Sequence, residues 1–362
     1  MTPIPARELM DKITQKRMQK HRLLAFLVMA LVIAIIANIG IGSYGIPPLR
    51  LLAILGAQIG LDLPGSFSAQ DEAIVLAIRL PRVFTGLGVG AGLALAGAAL
   101  QGLFRNPLAE PGLVGVSAGA ALAAVAMIVL GGGSFYIASF DLTPYALPLA
   151  AFGGGLLATA LIHGLARRLP GDPVATMLLV GIAINAVAGA GIGIFQYASD
   201  DTQLRLLSFW LMGGLGHASW TATLPALVLI TIGGITILSR AMALDAYLLG
   251  SAEAGHLGIK TQSLARVMIV ATALMVGAAV AVSGIISFVG LVVPHLVRTI
   301  IGPDHRTVLP ASALLGAFLM LMADLLARTL ISPAELPIGL VTSALGGPAF
   351  LWLLFRYHSG RF

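Results

Sequence analysis

The chain has 362 residues, 58% of them hydrophobic and only 10% charged, with a mean hydropathy of +0.98. A soluble domain carries roughly a quarter charged residues and only short apolar runs, so a water-soluble globule is excluded and an all-α, polytopic membrane protein is expected. The net charge of +6 is read as membrane topology and not as a nucleic-acid surface, and the lack of cysteine removes disulfides, zinc thiolate sites and a catalytic thiol.

Residues 1–22 form a cytoplasmic N-terminal tail with six basic side chains: Arg7, Lys12, Lys16, Arg17, Lys20 and Arg22. The apolar run from Leu23 outlasts the ~15 residues of a secretory signal and has no small-x-small cleavage site after it, so it is expected to be an uncleaved first span. Ten apolar segments follow one another across a single transmembrane unit, 23–356. They run 23–44, 83–104, 113–130, 146–166, 174–196, 222–238, 266–282, 285–301, 308–327 and 336–355. At 1.5 Å per residue, ~20 residues cross a ~30 Å hydrocarbon core.

An even number of spans puts both termini on one side, and lysine and arginine identify it as the cytoplasm. Sixteen of the 21 basic residues then lie inside, and five lie outside: Arg50, Arg79, Arg82, Arg205 and Arg328. That bias follows the positive-inside rule. Small-residue stretches such as 86–100 and 116–124 suit close helix–helix approach in lipid.

Ionisable groups deep in a membrane mark ion paths, and the spans hold almost none. Asp324 is the exception. Arg328 follows it by four residues on the same helix face, so a local ion pair and a proton site both stand as readings. His163 and His295 fall near cytoplasmic span ends, where an interfacial place is expected. "GHLGIKT" at 255–261 mimics the end of a phosphate-binding loop, but Ile259 stands where glycine is required, so no ATP hydrolysis is expected of this chain. No nucleophile, base and orienting group can be placed together either, which argues against an enzyme.

A transporter with no energy source of its own needs a partner that has one. The cytoplasmic stretch 239–265 is the longest internal one and is predicted to form two short helices, 243–249 and 251–257. Gly250 separates them, Gly258 ends the second, and Ser251 is placed to cap it. Taken alone, the stretch reads as a plain connection before it reads as a docking loop.

Four motifs carry a resemblance over about residues 72–356: "RLPR" (79–82), "QGLFRNPLAEPGLVGVSAGA" (101–120), "SFVGLVVPHLVR" (287–298), and "DHRTVLPASALLGAFLMLMADLLARTL" with "AELPIGLVTSALGGPAFLWLL" after it. They resemble the iron-chelate and cobalamin permeases of bacterial ABC importers. The resemblance implies a homodimer of ten-helix subunits in the bacterial inner membrane, with two ATP-binding cassette ATPase subunits docked from the cytoplasm and a periplasmic substrate-binding protein outside. The chain itself would bind no cofactor and no nucleic acid; ATP and Mg would be used by the partner ATPase.

By the same resemblance Arg79, Arg82 and Arg328 receive acidic side chains of the binding protein, a role that the planar, always-charged guanidinium suits. Anchoring of helix ends at lipid headgroups is the competing reading. Asn106 and Leu108 match positions that close the inner mouth of the path, in a hairpin where Pro107 and Pro111 prevent a continuous helix. Asn106 reads equally as a helix-terminus cap. A second gate region falls near 171–176, with no single residue assigned. Leu249, Gly250, Ser251, Glu253, His256 and Gly258 become the ATPase coupling loop.

Haem, ferric siderophores and cobalamin all suit a greasy path with few charges. The run 102–122 resembles haem-type members most. His217, in an outer segment near Met212, Tyr197 and Trp220, is a candidate haem contact, although a lone loop histidine is far more often simply solvated. A proton-coupled secondary carrier acting through Asp324 is the alternative from another class, and a scaffold without transport is a third.

Overall fold

A backbone amide facing lipid finds a partner only inside a helix or a closed barrel, and the computed structural model of the chain is helical almost throughout. The structure describes all residues except 1–5, 43, 62, 132–135, 138–139, 171–172 and 359–362. Helix α1 spans Ala6–Gly40 and α2 spans Pro48–Ala57. Then α3 (Ala69–Ala73), a π-helical turn (Ile74–Arg79) and α4 (Leu80–Leu103) form one continuous helical run. A 3-10 turn at Pro111–Val114 leads into α5 (Val116–Leu130). Two two-residue strands, β1 (Tyr136–Ile137) and β2 (Phe140–Asp141), pair antiparallel in the following loop.

Helices α6 (Thr143–Ala166), α7 (Pro173–Ala198), α8 (Asp201–Met212) and α9 (Trp220–Leu238) come next. The short α10 (Ala241–Tyr247) and α11 (Ser251–His256) precede α12 (Thr261–Ser283), α13 (Val289–Ile301), α14 (His305–Thr329) and α15 (Ile338–His358).

Seven helical stretches among the described residues are long and apolar enough to cross a membrane. Four shorter apolar stretches accompany them: Pro48–Ala57, Val116–Leu130, Val289–Ile301 and Ile338–Trp352. Each expected span has its helix, with shifted ends. The first helix begins inside the basic tail and not at residue 23, because the tail keeps helical residues without a break. The expected span 285–301 begins only at Val289: Gly284 ends α12 at φ 66°, and Phe288 sits at φ 67° before α13. The long outer region 197–221 carries α8, which opens on a capping box between Asp200 and Gln203.

Helix α4 lies at the centre, against α14, α12, α13 and α9. Glycine makes that possible. A Cβ on Gly90 would overlap the Gly316 carbonyl of α14, one on Gly316 would overlap the Gly90 carbonyl, and one on Gly97 would overlap the carbonyl of Gly290 in α13. The backbones therefore touch directly, as small-residue interfaces in lipid do. Gly119 and Gly154 repeat the arrangement between α5 and α6.

Candidate functional site

The three arginines expected to receive a binding protein are largely buried within the chain: Arg79, Arg82 and Arg328 are only 5%, 9% and 8% exposed. Arg79 closes the π-helical turn and donates to the carbonyls of Ile39 at 2.5 Å and Gly40 at 3.0 Å, and also to that of Tyr44. These carbonyls lie at and just beyond the C-terminal end of α1, which is short of donors and favours a cation.

Arg82 and Arg328 converge on Asp324, which is 1% exposed. Arg82 Nε donates to Asp324 Oδ1 at 2.9 Å and Oδ2 at 3.2 Å, and its Nη2 stands 2.9 Å from Oδ1. Arg328 Nε lies 3.4 Å from Oδ2, the pairing within α14 that the four-residue spacing predicts. Arg328 also donates to the backbone oxygen and Oδ1 of Asn38, at 2.7 and 3.0 Å. The outward nitrogen of Arg82 pairs at 3.0 Å with Glu335, whose side chain is 46% exposed. The sequence pointed to Asp324–Arg328; the partners Arg82, Asn38 and Glu335 lie far away in the chain, and no spacing links them.

At the other end of α4 the hairpin 104–115 turns the chain back. Arg105 takes a left-handed φ of 48°, and Asn106 Oδ1 accepts from the amide of Leu108 at 2.9 Å. The Asn106 side chain thus shapes the turn, while its amide donates to Gln101 O at 3.2 Å and closes the end of α4, where a helix-terminus cap was expected. The Leu108 side chain projects outward. Burial pushes the Glu110 carboxyl above its ordinary range. Gln101 ties the end of α4 to α13, donating to Leu291 O at 3.1 Å and accepting from Arg298. Asn185 of α7 donates to Gly112 O at 3.1 Å, and a Cβ on Gly181 would overlap Leu113 O, so α7 packs straight onto the 3-10 turn. Of the second gate region, residues 171–172 lie outside the described residues, and Pro173 opens α7.

The stretch 239–265 forms the two expected helices, α10 and α11, with the first shifted two residues earlier. Gly250 at φ 131° separates them and Gly258 at φ 82° follows the second. Ser251 is the first residue of α11, and the cap position is Gly250, with no side-chain bond, so the expected serine cap is not made. Leu244, Tyr247 and Ala254 are buried against the body, whereas Met242, Leu249 and Leu257 are exposed, with Ser251, Glu253 and His256 exposed beside them.

His217 lies exposed in the turn between α8 and α9. Trp220 donates Nε1 to Leu76 O at 2.9 Å and lies 5.6 Å from the Phe84 ring. Among the described residues no group of three or more His, Asp or Glu is placed to hold a metal ion.

Residues 30–356 match the model of the FecCD transport family. The chain is 44% identical over 351 residues to the hemin transport system permease protein of Yersinia pestis, covering 95% of this chain and 98% of that one. It is 40% identical over 310 residues to the vitamin B12 import system permease protein of Vibrio vulnificus, covering 86% and 91%. A solved structure of a metal-chelate-type ABC transporter in an inward-facing conformation matches with a TM-score of 0.79 and 32% identity, over 92% of this chain and 99% of that one.

Proposed function

The chain belongs to the FecCD transport family, and we propose that it is the transmembrane permease subunit of a binding-protein-dependent ABC importer that carries an iron chelate, haem above all, across the bacterial inner membrane. The observation that carries this reading is the match to the family across nearly the whole helical body, 30–356. The substrate rests on the likeness to the hemin permease along the full chain, and cobalamin or a ferric siderophore is the second reading because the vitamin B12 permease is nearly as similar.

Two copies form a homodimer of ten-helix subunits, with the seven long and three of the shorter helices crossing, and with both termini cytoplasmic. Two ATPase subunits seat on α10 and α11, through Leu249, Gly250, Ser251, Glu253, His256 and Gly258. The exposed apolar side chains there support the assignment. ATP and Mg belong to that partner. Asn106 and Leu108 close the inner mouth of the path.

Outside, the binding protein docks on Arg79, Arg82 and Arg328. Arg82 is the group nearest to a partner, because Glu335 already meets its outward nitrogen at a half-exposed position. A carboxylate from the binding protein would take the place that Glu335 holds. His217 is kept as a candidate haem contact, and exchange of His217 for Ala with unchanged haem uptake would remove it.

The test is ATP-driven uptake into proteoliposomes that hold this chain with its ATPase and binding protein, offered haem, a ferric siderophore and cobalamin. Selective haem uptake supports the reading. Uptake of another chelate replaces the substrate and keeps the mechanism. Uptake without ATP that collapses with the proton gradient overturns the class in favour of a carrier.

A further inference from the structure

The helix α10 is tied to the body of the protein at two points, and both lead to the inner-mouth hairpin. The first tie is an imidazole. His305, the first residue of α14, is fully buried, and its Nδ1 meets Asp245 Oδ1 of α10 at 2.7 Å. The same Asp245 oxygen accepts from the His305 amide at 2.8 Å, so one carboxylate holds both the ring and the open amide end of α14. The other face of the ring presses on α4. A Cβ on Gly102 would overlap His305 Nε2, and that nitrogen is buried without a hydrogen bond.

The second tie is aromatic. Tyr247, the last residue of α10, is buried, and the Arg105 guanidinium lies over its ring at 5.5 Å from the centroid. Arg105 stands next to Asn106 and holds the left-handed φ that turns the hairpin. Gly102 and Arg105 bracket the end of α4, and each meets a residue that α10 holds.

Other features carry less. The ~190 Å³ apolar cavity between α13, α14 and α15 and the basic pocket at the start of α12 show nothing of what would fill them. The two ties are different in kind: each joins the exposed cytoplasmic loop to the segment that shapes the inner mouth.

We infer that Asp245, His305, Tyr247 and Arg105 are positioning residues that make α10, the start of α14 and the inner-mouth hairpin move as one body. A load on the cytoplasmic loop then reaches Asn106 and Leu108 without passing through the long spans. This rests on the reading above that the loop receives an ATPase. The first tie is a 2.7 Å contact to a fully buried ring, and the second seats the Arg105 cation on a buried ring, so on each the packed partner is held in place and passes displacement on.

The experiment uses the whole importer, this chain with its ATPase and binding protein, in proteoliposomes. It measures haem delivered per ATP hydrolysed, with ATPase retention in the complex as a separate readout. His305→Phe keeps a flat aromatic ring, somewhat larger, and loses the Nδ1 group, whereas His305→Asn restores a side-chain donor near that place. Arg105→Ala and Arg105→Lys share the same backbone strain and differ in the cation over Tyr247.

His305→Phe and Arg105→Ala are expected to keep the ATPase bound and hydrolysing while haem per ATP falls about five-fold or more, the low end for coupling between distant sites. His305→Asn and Arg105→Lys should recover most of the wild-type ratio. If His305→Phe does not accumulate in the membrane, the exposed Arg105 pair decides alone. Unchanged haem per ATP in the Phe and Ala variants, beside a wild type that couples, overturns this inference and leaves the transport reading standing. A wild-type complex that hydrolyses ATP and moves no haem overturns the haem reading first, and this inference with it.

Discussion

Removing the Asp324 carboxylate should destabilise the fold before it affects transport. In Asp324→Ala, Arg82 and Arg328 lose the buried group on which both converge. Deleting one partner of a buried pair costs about 3–5 kcal/mol, because the other charge stays buried. The lower end applies here, since Arg82 keeps Glu335 and Arg328 keeps the two oxygens of Asn38. An unfolding entropy of about 2.1 cal/mol/K per residue gives roughly 0.8 kcal/mol/K for 362 residues, so ~3 kcal/mol lowers Tm by about 4 °C.

Asp324→Asn keeps an acceptor for Arg82 and gives up the charge, at a cost of ~1.5 kcal/mol or about 2 °C. The assay is thermal unfolding of the purified protein in detergent, with an Arg82→Ala/Asp324→Ala double-mutant cycle beside it. The double variant should be less destabilised than the two single losses added together, by about 1–3 kcal/mol. An Asp324→Ala protein melting within a degree of wild type, or strictly additive losses, would refute the reasoning. Uptake by Asp324→Asn should keep its dependence on ATP; proton-driven uptake that this one exchange abolishes would restore Asp324 as a proton site.

Gly97→Ala forces a methyl into the Gly290 carbonyl and should cost about 1–3 kcal/mol, while Gly164→Ala, with open space at its Cβ, should be neutral or slightly stabilising; paired melting curves compare them. Burial works to raise the Asp304 carboxyl, but the hydrogen bonds from Lys20 and the Arg306 amide outweigh it and hold the group below its ordinary 3.8. A depressed carboxylate stabilises above its unfolded pKa and loses that contribution as the pH falls through the folded one. The advantage of wild type over Lys20→Ala should therefore be present at pH 7 and fade below about pH 4. Glu110 is shifted the opposite way, so its ionised form weighs against folding; Glu110→Gln should melt higher than wild type at pH 7, and the difference should vanish in acid, where both side chains are neutral.

How far the sequence could be read depends on the range over which each feature is encoded. Hydropathy and basic residues act locally, so the expected spans and the two loop helices match observed helices. Breaks set by backbone conformation were harder to read: Phe288 at φ 67° cut the expected span at 285 back to Val289, and nothing in a phenylalanine announces a left-handed turn. Pro107 and Pro111 did announce the hairpin, but not that Asn106 would fold back onto the Leu108 amide.

The candidate site shows the same division more sharply. The Asp324–Arg328 spacing is helical and was legible. The burial of Arg79 and Arg82 was not legible, because their partners are the end of α1 and a carboxylate 242 residues away. Asp245 and His305 carry no motif and lie 60 residues apart; only the packing of α10 on α14 brings them together. Charges that would mark an exposed surface in a linear reading thus become internal struts once the helices pack. On the docking role proposed above, a partner carboxylate that meets Arg82 competes with Glu335 and Asp324, and one that meets Arg328 competes with Asp324, so the strength of docking would be set partly within this chain.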